Sequence, residues 1–244
     1  MENKSIILKW SFSLLICLLL SFIPFQEIKA QGFYFGPKGG SVIGFQNWNG
    51  LERDPLFAYH GDLFIESLDA RGTGSLFASI GYHVRGSATR IINPQFNYNY
   101  TQGFRFNNIS LMAGAKKRFK TSASWSTYYL VGIRGEYTVS TNFGTAGSNI
   151  TQSIFFPIEE LTNKITYGIS GGIGAEYFLS EFISPFFEFT ISPDLSFQYR
   201  QGEIPNVTNP YTGQLTTLRE REIRNLSIEL TIGLKLLRKI VYVD

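Results

Sequence analysis

The chain is nearly without cysteine and histidine, with one Cys and two His in 244 residues. Cys17 lies in an apolar run near the start, so residues 31–244 hold no thiol. That excludes disulfides and thiolate-bound metal from this part of the chain. Cys17 also lacks the small residues that precede a lipoprotein cysteine, which argues against lipidation. Long apolar runs are missing beyond residue 30, and a bundle of membrane-spanning helices needs stretches of about 20. Charge of one sign is missing too. The formal net charge is +3 with Arg and Lys scattered, so there is no nucleic-acid footprint. No phosphate-loop, H-E-x-x-H or calcium-loop pattern occurs. The expectation is therefore no cofactor, no metal centre and no catalytic site.

Residues 1–30 have the pattern of a cleaved secretory signal. Lys4 and Lys9 precede an apolar core from Trp10 to Phe25, and Ile28-Lys29-Ala30 places a small residue before Gln31. The apolar core falls short of the length of a membrane anchor. Residues 31–244 are then expected to form one exported domain. They are rich in aromatics, with 13 Tyr and 22 Phe in the chain, and the chain has 24 Gly. Both suit strands bent into a cylinder and ringed by interfacial aromatics.

Eight stretches alternate apolar and polar residues with period two, the spacing of β-strands. They are expected at 32–46, 56–68, 74–87, 104–119, 125–140, 164–179, 182–198 and 222–238. The last is the clearest. Leu226, Ile228, Leu230, Ile232, Leu234 and Leu236 make one face, and Asn225, Ser227, Glu229, Thr231, Gly233 and Lys235 make the other. Connections alternate long and short. The short ones lie around Ala70-Arg71-Gly72, Lys120-Thr121-Ser122 and Ser180-Glu181. The long ones carry Asn47-Trp48-Asn49-Gly50, Asn97-Tyr98-Asn99-Tyr100, Thr145 to Asn149 and Asn209 to Gly213. Short inner turns and long outer loops are the layout of an outer-membrane barrel. The fold class expected is all-β, an eight-stranded antiparallel up-and-down transmembrane β-barrel.

The faces are consistent with this. Outward positions include Phe57, Tyr59, Leu63, Ile65, Leu76, Ile80, Tyr82, Val84, Ile109, Leu111, Ala113, Tyr129, Val131, Ile133, Tyr137 and Val139, then Ile165, Tyr167, Ile169, Ile173, Tyr177, Phe187, Phe189 and Ile191. Inward positions hold the charges Asp62, Glu66, Arg85, Lys116, Arg134, Glu136, Glu176, Glu188, Asp194, Glu229 and Lys235, with Lys38 and Arg118 as additions. Tyr167 and Tyr177 bracket a height of about 25 Å, that of a barrel's apolar band. A soluble barrel of lipocalin type shows the same alternation with the faces reversed. The long strands, the alternating loop lengths and the small residues Gly168, Ser170, Gly172 and Gly174 on the charged face favour the membrane form.

Three features carry a resemblance: Gly32-Phe33-Tyr34-Phe35-Gly36-Pro37-Lys38-Gly39-Gly40 after the signal, Ser184-Pro185-Phe186-Phe187-Glu188, and the closing run Leu226 to Leu237. With them the chain resembles the PorT-like outer-membrane β-barrel family, related in architecture to the OmpA and OmpX eight-stranded barrels. The resemblance implies an outer-membrane location, no catalytic residues, and for some members a part in a protein-secretion apparatus. The chain departs from the usual outer-membrane ending. It runs on as Arg238 to Asp244 without a terminal Phe.

Two further patterns call for chemistry. Gly168-Ile169-Ser170-Gly171-Gly172 matches a nucleophile elbow, which needs a strand-to-helix turn, yet it sits in mid-strand. His60 and His83 flank a turn centred near residues 71–72, and a tight hairpin there pairs them inside the lumen. They form a cross-strand polar pair, a proton-sensitive latch, or two ligands of a metal site that lacks a third ligand by sequence. The charged lumen is a salt-bridged plug or a selective pore, and eight strands leave room only for side chains. The resulting expectation is a monomer in outer-membrane lipid with a plugged polar lumen. It serves as a structural or interaction scaffold, with protein or glycan partners at the outer loops. The alternatives are a small channel or a soluble ligand-binding barrel.

Overall fold

The computed structural model describes residues 32–48, 53–67, 73–93, 98–120, 122, 124–143, 159–209 and 212–239. The expected signal at 1–30, the turn at 70–72 and the loop segment 145–149 lie outside the described residues. The elements are β1 (Gly32–Asn47), β2 (Asp54–Ser67), β3 (Gly74–Asn93), β4 (Tyr98–Lys120), β5 (Trp125–Thr141), β6 (Ile165–Tyr177), β7 (Ile183–Pro193), β8 (Tyr199–Gln201), β9 (Ile204–Thr208), β10 (Leu215–Leu218) and β11 (Arg221–Lys239).

Strands β1 to β7 pair in sequence order, β7 pairs with β11, and β11 returns to β1. The closing seam runs antiparallel from Gly32 opposite Lys239 to Asn47 opposite Arg224. Eight staves therefore close on themselves, which leaves no edge among the staves. The period-two pattern dictates which side each residue takes. On β5 buried and exposed residues alternate without a break from Trp125 to Val139. Ile133 is 70 % exposed outside, while its neighbour Arg134 is buried. An apolar exterior around a polar, ion-paired interior is the organisation of a transmembrane β-barrel.

The structure differs from the expectation at four places. Strands β3 and β4 are longer than 74–87 and 104–119. Their ladder continues from Ala88 opposite Gly103 out to Asn93 opposite Tyr98. The Asn-rich run at 97–100 suggested a loop, but both arms carry β-branched or aromatic residues, Thr89, Ile91 and Ile92 on one and Tyr98, Tyr100 and Thr101 on the other, which favour strand pairing. Strand β7 stops at Pro193, not residue 198, since proline has no N–H to donate to the ladder. Residues 199–220 are not an open loop. β8 pairs with β11, and β9 pairs with β10, around Asn206 in the left-handed region at φ 59°. Val84 is buried, not outward. It lies where the β2–β3 ladder is interrupted between Pro55 and His60. Gly86, at φ 147°, sits in the same irregularity, and a Cβ there would run into the Phe104 carbonyl on β4.

Candidate functional site: the sealed lumen

All the inward charges read from the alternation are buried. Asp62, Glu66, Arg85, Lys116, Arg134, Glu136, Glu176, Glu188, Asp194, Glu229 and Lys235 line the barrel interior with His60 and His83. Each sits on a strand at the inward parity, apart from Asp194. That residue follows Pro193 and is held by a bridge to Gly168. Buried charges must be paired, since several kcal/mol per uncompensated ion is the usual penalty. The pairing falls into two layers.

The layer nearer the short turns centres on Glu66, Glu176 and Glu188. Lys116 Nζ lies 2.7 Å from Glu188 and 3.3 Å from Glu66. Lys235 joins Glu176 to Glu66, the latter at 3.2 Å. Arg118 pairs with Glu66 and reaches Glu176 at 3.6 Å, and Lys38 reaches Glu188 at 3.7 Å. Tyr128 donates its hydroxyl to Glu188 at 2.8 Å, and Ser75 donates to Glu66 at 2.7 Å. The partners come from β1, β2, β3, β4, β5, β6, β7 and β11, so the network ties every stave to those across the barrel.

The outer layer centres on Arg85. Its Nε donates to both oxygens of Glu136, at 2.8 and 2.9 Å, and its Nη1 lies 3.0 Å from Glu229. Arg134 pairs with Asp194 and lies 3.2 Å from Glu136. Asn225 donates to Asp194 at 2.8 Å, and Gln46 donates to Asn225 at 2.6 Å. In the same layer His60 stands opposite His83 in the β2–β3 register, rings stacked at 4.9 Å and 25°. The carboxylate of Asp62 serves both, 2.9 Å from His60 Nδ1 and 3.0 Å from His83 Nε2. Spacing alone paired the two histidines. It did not show that Asp62, two residues on and so on the same face, closes a third side.

An apolar lid also escaped the sequence reading. Trp48, Phe104, Phe106, Phe143, Tyr199 and Ile223 form one buried cluster at the outer end. Phe106 and Phe143 meet edge to face at 5.1 Å, and the Trp48 and Phe104 rings lie 5.5 Å apart, tilted by 55°. Tyr199 arrives on β8, beyond the end of β7, so strand periodicity gave no signal for it. Arg53 lies over this lid, 3.7 Å from the Trp48 ring and 4.4 Å from the Phe104 ring. Burial, and then the nearby Arg221 guanidinium, push its pKa down to about 10. Between the layers is a cavity of about 20 Å³, room for roughly one water.

Ser170, the serine of the G-x-S-x-G match, lies within β6 and its hydroxyl meets the Ser192 hydroxyl at 2.8 Å. The motif is ordinary strand here, and Ser170 has another serine where an elbow would need a base.

No family model matches the chain, and no curated protein does. Among solved structures it is similar to Neisserial surface protein A, with 11 % identity and a TM-score of 0.45 over 84 % of this chain and 96 % of that one. The outer membrane protein OprG from Pseudomonas aeruginosa gives 9 % and 0.46 over 85 % and 97 %. The Escherichia coli outer membrane protein W gives 12 % and 0.35 over 84 % and 98 %.

Proposed function

We propose that this chain is an outer-membrane barrel with a plugged lumen, a membrane-anchored scaffold that presents its outer face to partners. The observation that carries this is the lumen itself. Two layers of buried ion pairs lie under an aromatic lid, with a cavity between them of about 20 Å³. A conducting pore needs a continuous water path, and a lipocalin-type barrel needs an apolar interior for its ligand. Neither is present among the described residues. The exposed Phe57, Leu63, Ile133, Ile165 and Ile232 suit lipid tails. The parts free to carry specificity are the β3–β4 extension and the β9–β10 hairpin, because connections vary while the staves are held. Protein or glycan partners at that face, a monomeric state, a non-enzymatic role, and membership of the PorT-like family with a place beside a secretion or surface assembly complete the reading.

Planar-bilayer recording of the refolded barrel tests it. Silence at all applied voltages is the expected result. Steady unitary conductance would establish a small channel and overturn the scaffold reading.

A further inference from the structure

The only two histidines of the chain, far apart in sequence number, stack against each other in the lumen with one carboxylate between them. Asp62 differs from the other lumen acids. Its ion pairs within 4 Å among the described residues are with His60 and His83, while Lys38, opposite it across β1 and β2, reaches Glu188 instead at 3.7 Å. A buried carboxylate facing two neutral imidazoles needs a positive centre.

The outer nitrogen of His60 has an acceptor, and that of His83 faces a carboxylate at ion-pair distance. His60 Nε2 lies 3.1 Å from Thr231 Oγ1, and His83 Nδ1 lies 3.5 Å from Glu229 Oε1. If each of these nitrogens carries the proton and donates it outward, His60 Nδ1 and His83 Nε2 are left as lone pairs aimed at Asp62. That is the arrangement found around metal-bound histidines, whose far nitrogen donates to a carboxylate or hydroxyl. Arg85 Nη2, 3.3 Å from His83 Nδ1, can only donate there, so metal binding requires this contact to give way to the one with Glu229. Arg85 is itself held by Glu136 and Glu229.

We propose that His60, Asp62 and His83 form a binding site for one divalent transition-metal ion of the zinc type, inside the barrel. Candidate ligand atoms of the three lie within 4.8 Å of one another. Ligands of a tetrahedral zinc, each at about 2.0–2.1 Å, stand roughly 3.4 Å apart, so small side-chain rotations complete the site. The adjoining cavity, lined by all three residues, leaves a fourth position for a water. Two imidazoles and one carboxylate suit zinc, cobalt or nickel rather than calcium or magnesium. The site braces β2 against β3 and holds whether the barrel is a scaffold or a channel.

The test refolds untagged residues 31–244 in detergent with Zn(II) or Co(II), removes free ion by desalting, and measures bound metal by mass spectrometry. One ion per chain is expected, with a visible Co(II) band and a higher unfolding temperature than protein refolded with a chelator. His83→Gln and Asp62→Asn should lose the ion. Thr231→Val, which keeps the shape and removes only the acceptor, should weaken retention by ~10-fold. If the His83 or Asp62 variant fails to refold, the wild-type Co(II) spectrum and Thr231→Val decide. No retained metal would show that a proton alone serves Asp62. Equal retention in His60→Gln/His83→Gln would place the metal elsewhere. Either result overturns the proposal.

Discussion

Lys116 on β4 and Glu188 on β7 meet at 2.7 Å across the lumen, so an ion pair spans the barrel between strands that are not neighbours in the wall. Both are buried. Lys116→Met should cost up to about 3–5 kcal/mol, because it leaves the buried Glu188 only the more distant Lys38 as a cation. Lys116→Met/Glu188→Met should recover part of that loss. Urea unfolding in lipid gives the comparison, with Arg200→Ala as control. Arg200 is solvent-exposed, and its ion pairs with Glu220 and Glu222 should be worth under about 1 kcal/mol. A single variant no less stable than the control would mean that the lumen is wet.

Leu230 faces outward at mid-strand, 42 % exposed, and Thr231 beside it is buried in the lumen. Leu230→Arg should destabilise the barrel in lipid by about 2–4 kcal/mol. The loss should shrink in detergent micelles that let the guanidinium reach water. Wild-type stability of this variant in lipid vesicles would reverse the assignment of faces.

His60 and His83 stand directly opposite each other. Directly opposite Cβ atoms in an antiparallel pair lie about 4.5–5.5 Å apart, close to disulfide range. His60→Cys/His83→Cys should therefore cross-link under mild oxidant, and residues 31–244 offer no competing thiol. The shifted pair His60→Cys/Gly81→Cys should cross-link more slowly. Equal rates for the two would mean a different register.

The lid and the ion-pair layers are separate seals. Phe106→Ala removes a fully buried ring of the lid and should cost about 3–5 kcal/mol. Conductance should stay absent, because the Arg85 layer closes the lumen beneath. A current through this variant would assign the seal to the aromatic cluster alone.

The staves were legible because one face of each is buried and one exposed, so period two is written into every strand. The His60–His83 register was legible because the two strands follow each other in sequence and pair without a shift from His60 to Glu66. Asp62 was legible as an inward charge, but not as the bridge between the histidines. That depends on where side chains end, which parity does not specify. The aromatic lid was illegible because Trp48 and Tyr199 lie beyond the regular strands, where no periodicity marks burial. Arg53 is half-buried on two rings, and nothing in its neighbours' pattern announces that stacking.

The last strand, β11, supplies both the seam with β1 and Lys235, the ammonium shared by Glu66 on β2 and Glu176 on β6. A chain arrested before that strand leaves Glu176 with Arg118 alone, at 3.6 Å, as well as two open edges. Closure and the last cation of this layer thus arrive in one event, across a seam that pairs Gly32 with Lys239. Pairing across so long a separation is intrinsically slow, so this layer should be completed late in barrel formation.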